Sequence, residues 1–301
     1  MSILIEKQHR IKWSPGDSIF EVVIYLLCMT IFFSVLYPLY FVVIASFSDP
    51  VRVLIGDIWL IPKGITFVGY SKIFADTRIW IGYANTIIYT VFGTFVSIIV
   101  TLPAAYALSR SDFRARRGIM IFFIITMFFN GGLVPSYLLI QKIKLVDTLW
   151  VMVIPFCVNV FYLIIARTFF ENNISKELRD AASIDGCSNT RFFLKIALPL
   201  SKAIIAVIAL YYAVGQWNEF FRALIYLRND KRFPLQIILM NILVRNDTRN
   251  TTGLMGELER MQLASIIKYG LIIVSMVPIL LVYPFIQKYF TKGIMIGSIK
   301  G

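Results

Sequence analysis

Long runs without a single charged side chain constrain this chain more than any other feature. Residues 22–45 contain no Asp, Glu, Lys or Arg, and neither do residues 79–109. About 20 apolar residues in a helix span the hydrocarbon core of a bilayer. Four more segments meet that length: 118–141, 148–170, 203–227 and 263–287. Asn130, Gly131, Gly132 and Pro135 interrupt the third run, Glu219 and Arg222 enter the fifth, and Lys268, Pro278 and Pro284 lie in the sixth. Barrel strands would be ~10 residues of alternating polarity, and the runs lack that pattern. The expectation is an all-α membrane protein with six transmembrane helices: a segment 1–18, a six-helix membrane domain 19–287, and a tail 288–301. The second run is long enough to tilt.

Composition agrees. Of 301 residues, 58% are hydrophobic and 16% charged, against roughly 45–50% and about 25% in soluble domains. The net charge of +13 would suggest nucleic acid in a soluble protein. In a membrane chain it is accounted for by basic loops and anionic headgroups, so nucleic acid is set aside as a partner and membrane lipid retained. Cys28, Cys157 and Cys187 stand far apart and His9 is the lone histidine. Neither a disulfide framework nor a metal site is expected. The first run is longer than a signal-peptide core and lacks a small-x-small exit, so it is expected to stay uncleaved.

Basic residues in short loops set orientation. Arg110, Arg114, Arg116 and Arg117 crowd one short loop, which is therefore expected in the cytoplasm. By alternation both termini and residues 171–202 are cytoplasmic, and 47–78, 142–147 and 228–262 external.

Residues 171–202 carry the most specific information. Ser175 suits a helix N-cap, Lys176 to Asp185 are helix-compatible with acids early, and Gly186 suits a left-handed C-terminal stop. Leu178, Ala181 and Ala182 fall on one face at helical spacing, where small alanines admit a close partner. Phe192, Phe193 and Ile196 form a second apolar face, and Leu198-Pro199-Leu200 turns the chain back toward the membrane. On residues alone, partner docking and an interfacial helix lying on lipid are equally good accounts.

This segment resembles the EAA loop of ABC importer permeases, E-A-A, three residues, G, then I-x-L-P. Asp180-Ala181-Ala182, Gly186 and Ile196-Ala197-Leu198-Pro199 supply it. Asp180 replaces the usual glutamate, and Cys187 stands where the sugar-importer pattern usually has alanine. The resemblance covers essentially the whole chain. Trp217-Asn218-Glu219-Phe220, Phe233-Pro234-Leu235 and the tail 289–301 are similar to the maltose-transporter class. The run 127–135 and Arg167-Thr168-Phe169-Phe170 are similar to its oligosaccharide or polysaccharide-fragment branch.

The resemblance implies a type I importer permease fold. Glu177, Asp180, Ala181, Ala182, Asp185, Gly186 and Pro199 would then form a coupling helix and its exit, seated on a separate ATPase. No G-x-x-x-x-G-K-[S/T] phosphate loop occurs in the chain, so ATP and Mg would belong to that other chain, and this one would bind no cofactor and be no enzyme. The implied partners are a second homologous permease, two ATPase subunits and an extracellular solute-binding protein, in a bacterial cell membrane. In the tail, Gly293, Gly297 and Gly301 would enter the ATPase interface. Arg245, Asn246, Thr248 and Arg249 would contact the binding protein.

Polar residues in membrane helices tend to face a bundle interior or water. Thr86, Thr90, Thr94, Ser97 and Thr101 make one stripe, for which helix packing is the better account. Asn85, Asn130, Asn159, Tyr162, Asn218 and Glu219 are the candidates for a substrate path, and an oligosaccharide is the implied cargo. The competing class is an ion-coupled secondary carrier, which would work without an ATPase. A membrane enzyme ranks third, because no catalytic histidine, metal cluster or G-x-S-x-G is present in the runs.

Overall fold

A computed structural model describes residues 15–129, 131–248, 265, 267–281 and 283–284. The described residues form helices and no strands. In chain order they are α1 (Pro15–Ser46), α2 (Pro50–Leu54), α3 (Val68–Ala75), α4 (Thr77–Ser109), α5 (Arg116–Phe128), α6 (Leu133–Lys142) and α7 (Trp150–Val153). Next come α8 (Val160–Asn173), α9 (Lys176–Ile184), α10 (Asn189–Phe192), a π-helical turn (Phe193–Ala197), α11 (Leu198–Leu200), α12 (Lys202–Trp217), α13 (Phe221–Tyr226), α14 (Leu235–Thr248) and α15 (Ile267–Leu281).

Helix α4 is the spine. Its buried positions, Ile79, Gly82, Thr86, Tyr89, Gly93, Ser97, Thr101 and Ala105, recur every three or four residues, the period of one helix face. Three apolar layers stack along it. Ile79 packs with Ile73 of α3, Leu235 and Ile238 of α14, and Leu271 and Val274 of α15. Tyr89 packs with Ile140, Val151, Met152, Ala223 and Tyr226. Leu102, Ala105 and Tyr106 pack with Leu163, Ala166 and Phe170 of α8, Phe192, and Ile204, Ile208 and Tyr212 of α12.

Two glycines let helices reach the spine. A Cβ on Gly82 would stand 3.0 Å from the Leu235 Cα, and one on Gly93 would stand 2.5 Å from the Gln216 Nε2. Helix α1 has the opposite character: none of its most apolar window is buried. An apolar helix with no protein around it needs lipid or a partner chain as its solvent.

Among the described residues, two helices, α1 and α4, are long and apolar enough to span a membrane singly. Two bent pairs, α5 with α6, meeting at 113°, and the stretch Asn189–Leu200 with α12, meeting at 83°, bring that number to as many as four where each pair serves as one span. The run 148–170 is not one helix, because its chain leaves helical geometry between Val153 and Val160. Pro155 supplies no N–H there, and the Asn159 side chain opens α8 by accepting from the Phe161 and Tyr162 N–H groups. Helix α8 alone, at 14 residues, is about 21 Å long, so the fourth run depends on both pieces.

The run 203–227 breaks likewise. Helix α12 stops at Trp217, and the Glu219 carboxylate accepts from the Arg222 N–H at 2.9 Å at the start of α13.

Candidate functional site

The segment between α8 and α12 folds as local chemistry dictates. The Ser175 hydroxyl caps α9 by accepting from the Leu178 N–H at 3.2 Å. Glu177 lies in the first turn, where an acid complements the helix dipole. A hydrogen bond from its own backbone N–H, then the Ser175 hydroxyl and the Lys176 charge, hold its carboxyl below the usual range, against the pull of desolvation.

At the other end Gly186 takes φ +75°. The Cys187 N–H donates to the Ala182 carbonyl at 2.9 Å and the Gly186 N–H to the Ser183 carbonyl at 3.1 Å. This pair of bonds is the Schellman stop, with a left-handed glycine at its pivot. A Cβ there would strike nothing within 4 Å, so backbone conformation, not space, selects glycine.

The face expected to hold Leu178, Ala181 and Ala182 together is divided. Ala182 is buried in the protein's own core with Phe192 and Phe193. Leu178 and Ala181 are exposed, and Ile184 is 87% exposed. Helix α9 is thus anchored by one side and offers an apolar ridge of Leu178, Ala181 and Ile184 on the other. Asp180 and Asp185 flank that ridge and are exposed.

After α9, Ser188 caps α10, and the chain widens into the π turn just ahead of Pro199. Proline there has no N–H and clashes with a regular preceding turn, consistent with the wider helix. The 83° bend into α12 follows.

A brace that the sequence did not announce holds α9 to the spine. Asp112, in the loop between α4 and α5, receives Arg110 at 2.5 Å and Arg179 of α9 at 2.8 Å. Arg110 also donates to the Asn189 Oδ1 at 2.6 Å, and its guanidinium carbon lies 6.0 Å from the Tyr106 ring centroid. Hydrogen bonding from Arg110, and then the nearby Arg110 and Arg179 charges, hold the Asp112 carboxyl far below the usual carboxylate range, outweighing its desolvation. Arg167 pairs with Glu171 at 2.9 Å and donates to the Leu108 carbonyl at the end of α4.

The substrate-path candidates separate into structural and exposed groups. The Asn85 amide donates to the Lys231 and Phe233 carbonyls at 2.8 and 3.0 Å, pinning the chain ahead of α14 to the spine. Glu219 forms an ion pair with Arg222, and Arg222 donates to the Met152 carbonyl at 3.1 Å. That pair ties α13 to α7 and borders a cavity of about 350 Å³ with Phe156 and Tyr226.

Asn159, Tyr162 and Asn218 behave differently. Asn159 and Asn218 are exposed, each with one end of its amide used by its own helix. Tyr162 stacks on Tyr211, ring centroids 5.3 Å apart, and meets Tyr212 edge-on. The Tyr212 hydroxyl bonds Thr101 at 2.7 Å and the Asn159 N–H at 3.0 Å. Tyr211 and Tyr212 were not singled out by sequence, although both lie beside the Trp217-Asn218 motif on α12.

Arg245, Asn246 and Thr248 fall in the last turns of α14, a helix where an external loop was expected. Asn130, Arg249, Gly293, Gly297 and Gly301 lie outside the described residues.

Comparison with known proteins follows the same lines. Residues 79–296 match the family described as binding-protein-dependent transport system inner membrane component. The chain is 37% identical to the Bacillus subtilis (strain 168) protein LplC over 88% of this chain and 89% of that one. It is 36% identical to the polygalacturonan/rhamnogalacturonan transport system permease protein YtcP of the same strain, over 95% and 99%. Among solved structures, a chain from a bacterial ABC transporter involved in import of the acidic polysaccharide alginate superposes with TM-score 0.83 at 33% identity, covering 92% of this chain and 99% of that one. With the anchored helix, its left-handed stop and the apolar spans, these relations show that the chain belongs to the binding-protein-dependent transport system inner membrane component family and is a non-catalytic, multi-pass membrane permease subunit of an ABC importer.

Proposed function

We propose that this permease forms half of the pathway for an oligosaccharide delivered by an extracellular solute-binding protein. A second homologous permease forms the other half, and two separate ATPase subunits, which hold the ATP and Mg, dock on the cytoplasmic side with both termini of this chain. The carrying observation is helix α9, rigidly capped, fixed by Ala182 and Arg179 on one side and bare along Leu178, Ala181 and Ile184 on the other. A ridge with small alanine at its centre fits a cleft on a partner. Ala181 seats the ridge, and Glu177, Asp180 and Asp185 set its charge. Ala182, Gly186 and Pro199 fix its angle to α12. Movement of the ATPase clefts then passes through the Asp112 brace to α4 and through the π turn to α12, a rigid-body transmission of the kind seen in alternating transitions.

Asn159, Tyr162, Tyr211 and Asn218 form the part of the path best suited to sugar. Their exposed amides hydrogen-bond hydroxyls, and the stacked tyrosine pair offers an aromatic face. Asn85 and Glu219 support the pathway by holding its walls. One relative carries polygalacturonan/rhamnogalacturonan in its name and the solved neighbour's title names an acidic polysaccharide, so fragments of acidic polysaccharides are the first substrates to test.

Purifying the chain with the products of its neighbouring genes tests this assignment. A second permease and an ATPase are expected to co-elute and to hydrolyse ATP faster when binding protein and oligosaccharide are added. Uptake into vesicles by this chain alone would remove the proposal in favour of an ion-coupled carrier.

A further inference from the structure

A polar cleft of about 230 Å³ lies between the end of α4, the start of α5, the end of α8 and the N-terminus of α9. Arg110, Ser175 and Arg179 of its lining also serve the brace and the α9 cap, whereas Tyr106, Arg116 and Lys176 do not. Arg110, Arg116, Lys176 and Arg179 line it, with Glu171 as the one lining carboxylate. Asp112 is shared by Arg110 and Arg179, Asp180 lies 3.9 Å from Arg179, and Glu171 is shared by Arg116 and Arg167. Lys176 makes no ion pair among the described residues, and Arg114 and Arg117 add two exposed cations in the adjoining loop. Even with exposed Glu177 counted, cations outnumber carboxylates here. The first turn of α9 adds its positive dipole end to the same space.

A second observation concerns a neutral group. Tyr106 lines the cleft and is 7% exposed, and its hydroxyl, with the Arg110 guanidinium nearby, makes no hydrogen bond of normal geometry among the described residues. A buried hydroxyl left unpaired is unfavourable. The cleft thus gathers a buried O–H donor and an excess of N–H donors around a space short of acceptors. A phosphate group supplies acceptors and negative charge together, and guanidinium forks match its oxygens. The cleft also sits where the apolar stretches of α4, α5 and α8 give way to charged residues, on the side that carries α9.

We propose that this cleft binds a phosphate group, from an acidic phospholipid headgroup or a soluble phosphate ester, and that the bound group bridges the end of α4 to the start of α9. It rests on the importer reading only for its consequence, a stiffer coupling helix and more uptake per ATP hydrolysed.

The test uses the complete transporter in phosphatidylcholine nanodiscs, with phosphatidylglycerol titrated in or glycerol 3-phosphate added to the buffer. Retained phosphatidylglycerol is counted by native mass spectrometry, and binding-protein-stimulated ATPase is followed in parallel. Lys176→Gln and Arg116→Gln are each expected to raise the half-saturating level of the anion about fivefold, a typical factor for one cation near an acidic surface. Tyr106→Phe raises it by a smaller factor. A response to glycerol 3-phosphate identifies the soluble source, and a response to phosphatidylglycerol alone identifies the headgroup.

Indifference of the wild type to both anions would overturn the proposal, as would an anion response unchanged in all three variants. If Arg116→Gln weakens ATPase association equally in pure phosphatidylcholine, the cleft receives an ATPase carboxylate and the proposal fails. A complex that retains phosphatidylglycerol in the expected order of variants but imports no oligosaccharide would leave the site standing and refute the importer reading.

Discussion

Two regions along the length of α4 solve opposite problems. At the coupling end, Arg110, Asp112, Arg179 and Asn189 find one another within 3 Å, and both ends of α9 are capped. Halfway along α4, where it meets Gln216, the seam is close-packed and sparsely bonded. Thr90, Thr94, Ser97 and the Gln216 carbonyl are buried without hydrogen-bond partners among the described residues, while Thr86 and Thr101 do find them. Polar groups at a membrane helix seam are tolerated because the alternative is lipid, and each unpaired one leaves the seam easier to slide. At the coupling end the Tyr106 and Ser201 hydroxyls are also unpaired among the described residues, but there the ion pairs do the gripping. An ion-paired input and a loosely bonded seam suit a device in which one end is gripped and the other shifts.

This contrast can be broken or sharpened by substitution. Gly82→Val forces a side chain against the Leu235 backbone. It is expected to cost about 3 kcal/mol, the upper range for overpacking, read as lost thermal stability of the purified complex. Thr101→Val removes the bond to Tyr212 and is expected to cost about 1 kcal/mol. Asp112→Asn weakens the brace. Its carboxylate is 47% exposed, so solvent screening keeps the loss below about 1 kcal/mol, and the effect should appear as fewer substrate molecules moved per ATP. The double exchange Asp112→Arg with Arg179→Asp is expected to recover part of that ratio. Because the folded-state pKa of Asp112 is depressed, its stabilisation is present above the unfolded pKa and lost only as pH falls through the folded one. Coupling is therefore flat through neutral pH as far as this group is concerned. Thr90→Val is the smallest change: stability is expected to stay within about 0.5 kcal/mol, and a large loss would show that the seam is bonded after all.

The contrast also explains what could be read from residues alone. Helix α9 was legible because its determinants are local: a capping serine, an acid in the first turn and a glycine at the stop lie within a dozen positions. Its division into an anchored and a bare face was not, because Ala181 and Ala182 are chemically identical and only Phe192, Phe193 and the α4 layer distinguish them. The apolar runs located α1 and α4. Window hydrophobicity is blind to the break before Asn159 and to the one at Glu219, where a side chain caps a new helix inside an apolar stretch. It also read residues 235–248 as part of an external segment between spans, although Leu235, Ile237 and Ile238 are core residues. An apolar run of that length is too short to span and long enough to bury. Asn85 looked like a substrate ligand because its partners, Lys231 and Phe233, lie far along the chain.

Gly186 offers the most direct test of whether α9 is the input. An added Cβ meets nothing within 4 Å there, yet a β-branched residue must adopt φ +75°, at a cost of roughly 1–2 kcal/mol. Surface charge stays as it was while the stop loses its conformation. In the reconstituted importer, Gly186→Val is expected to leave basal ATP hydrolysis running and to abolish both its stimulation by loaded binding protein and oligosaccharide uptake. Full substrate-stimulated hydrolysis and uptake in that variant would contradict the assignment of α9 as the coupling helix.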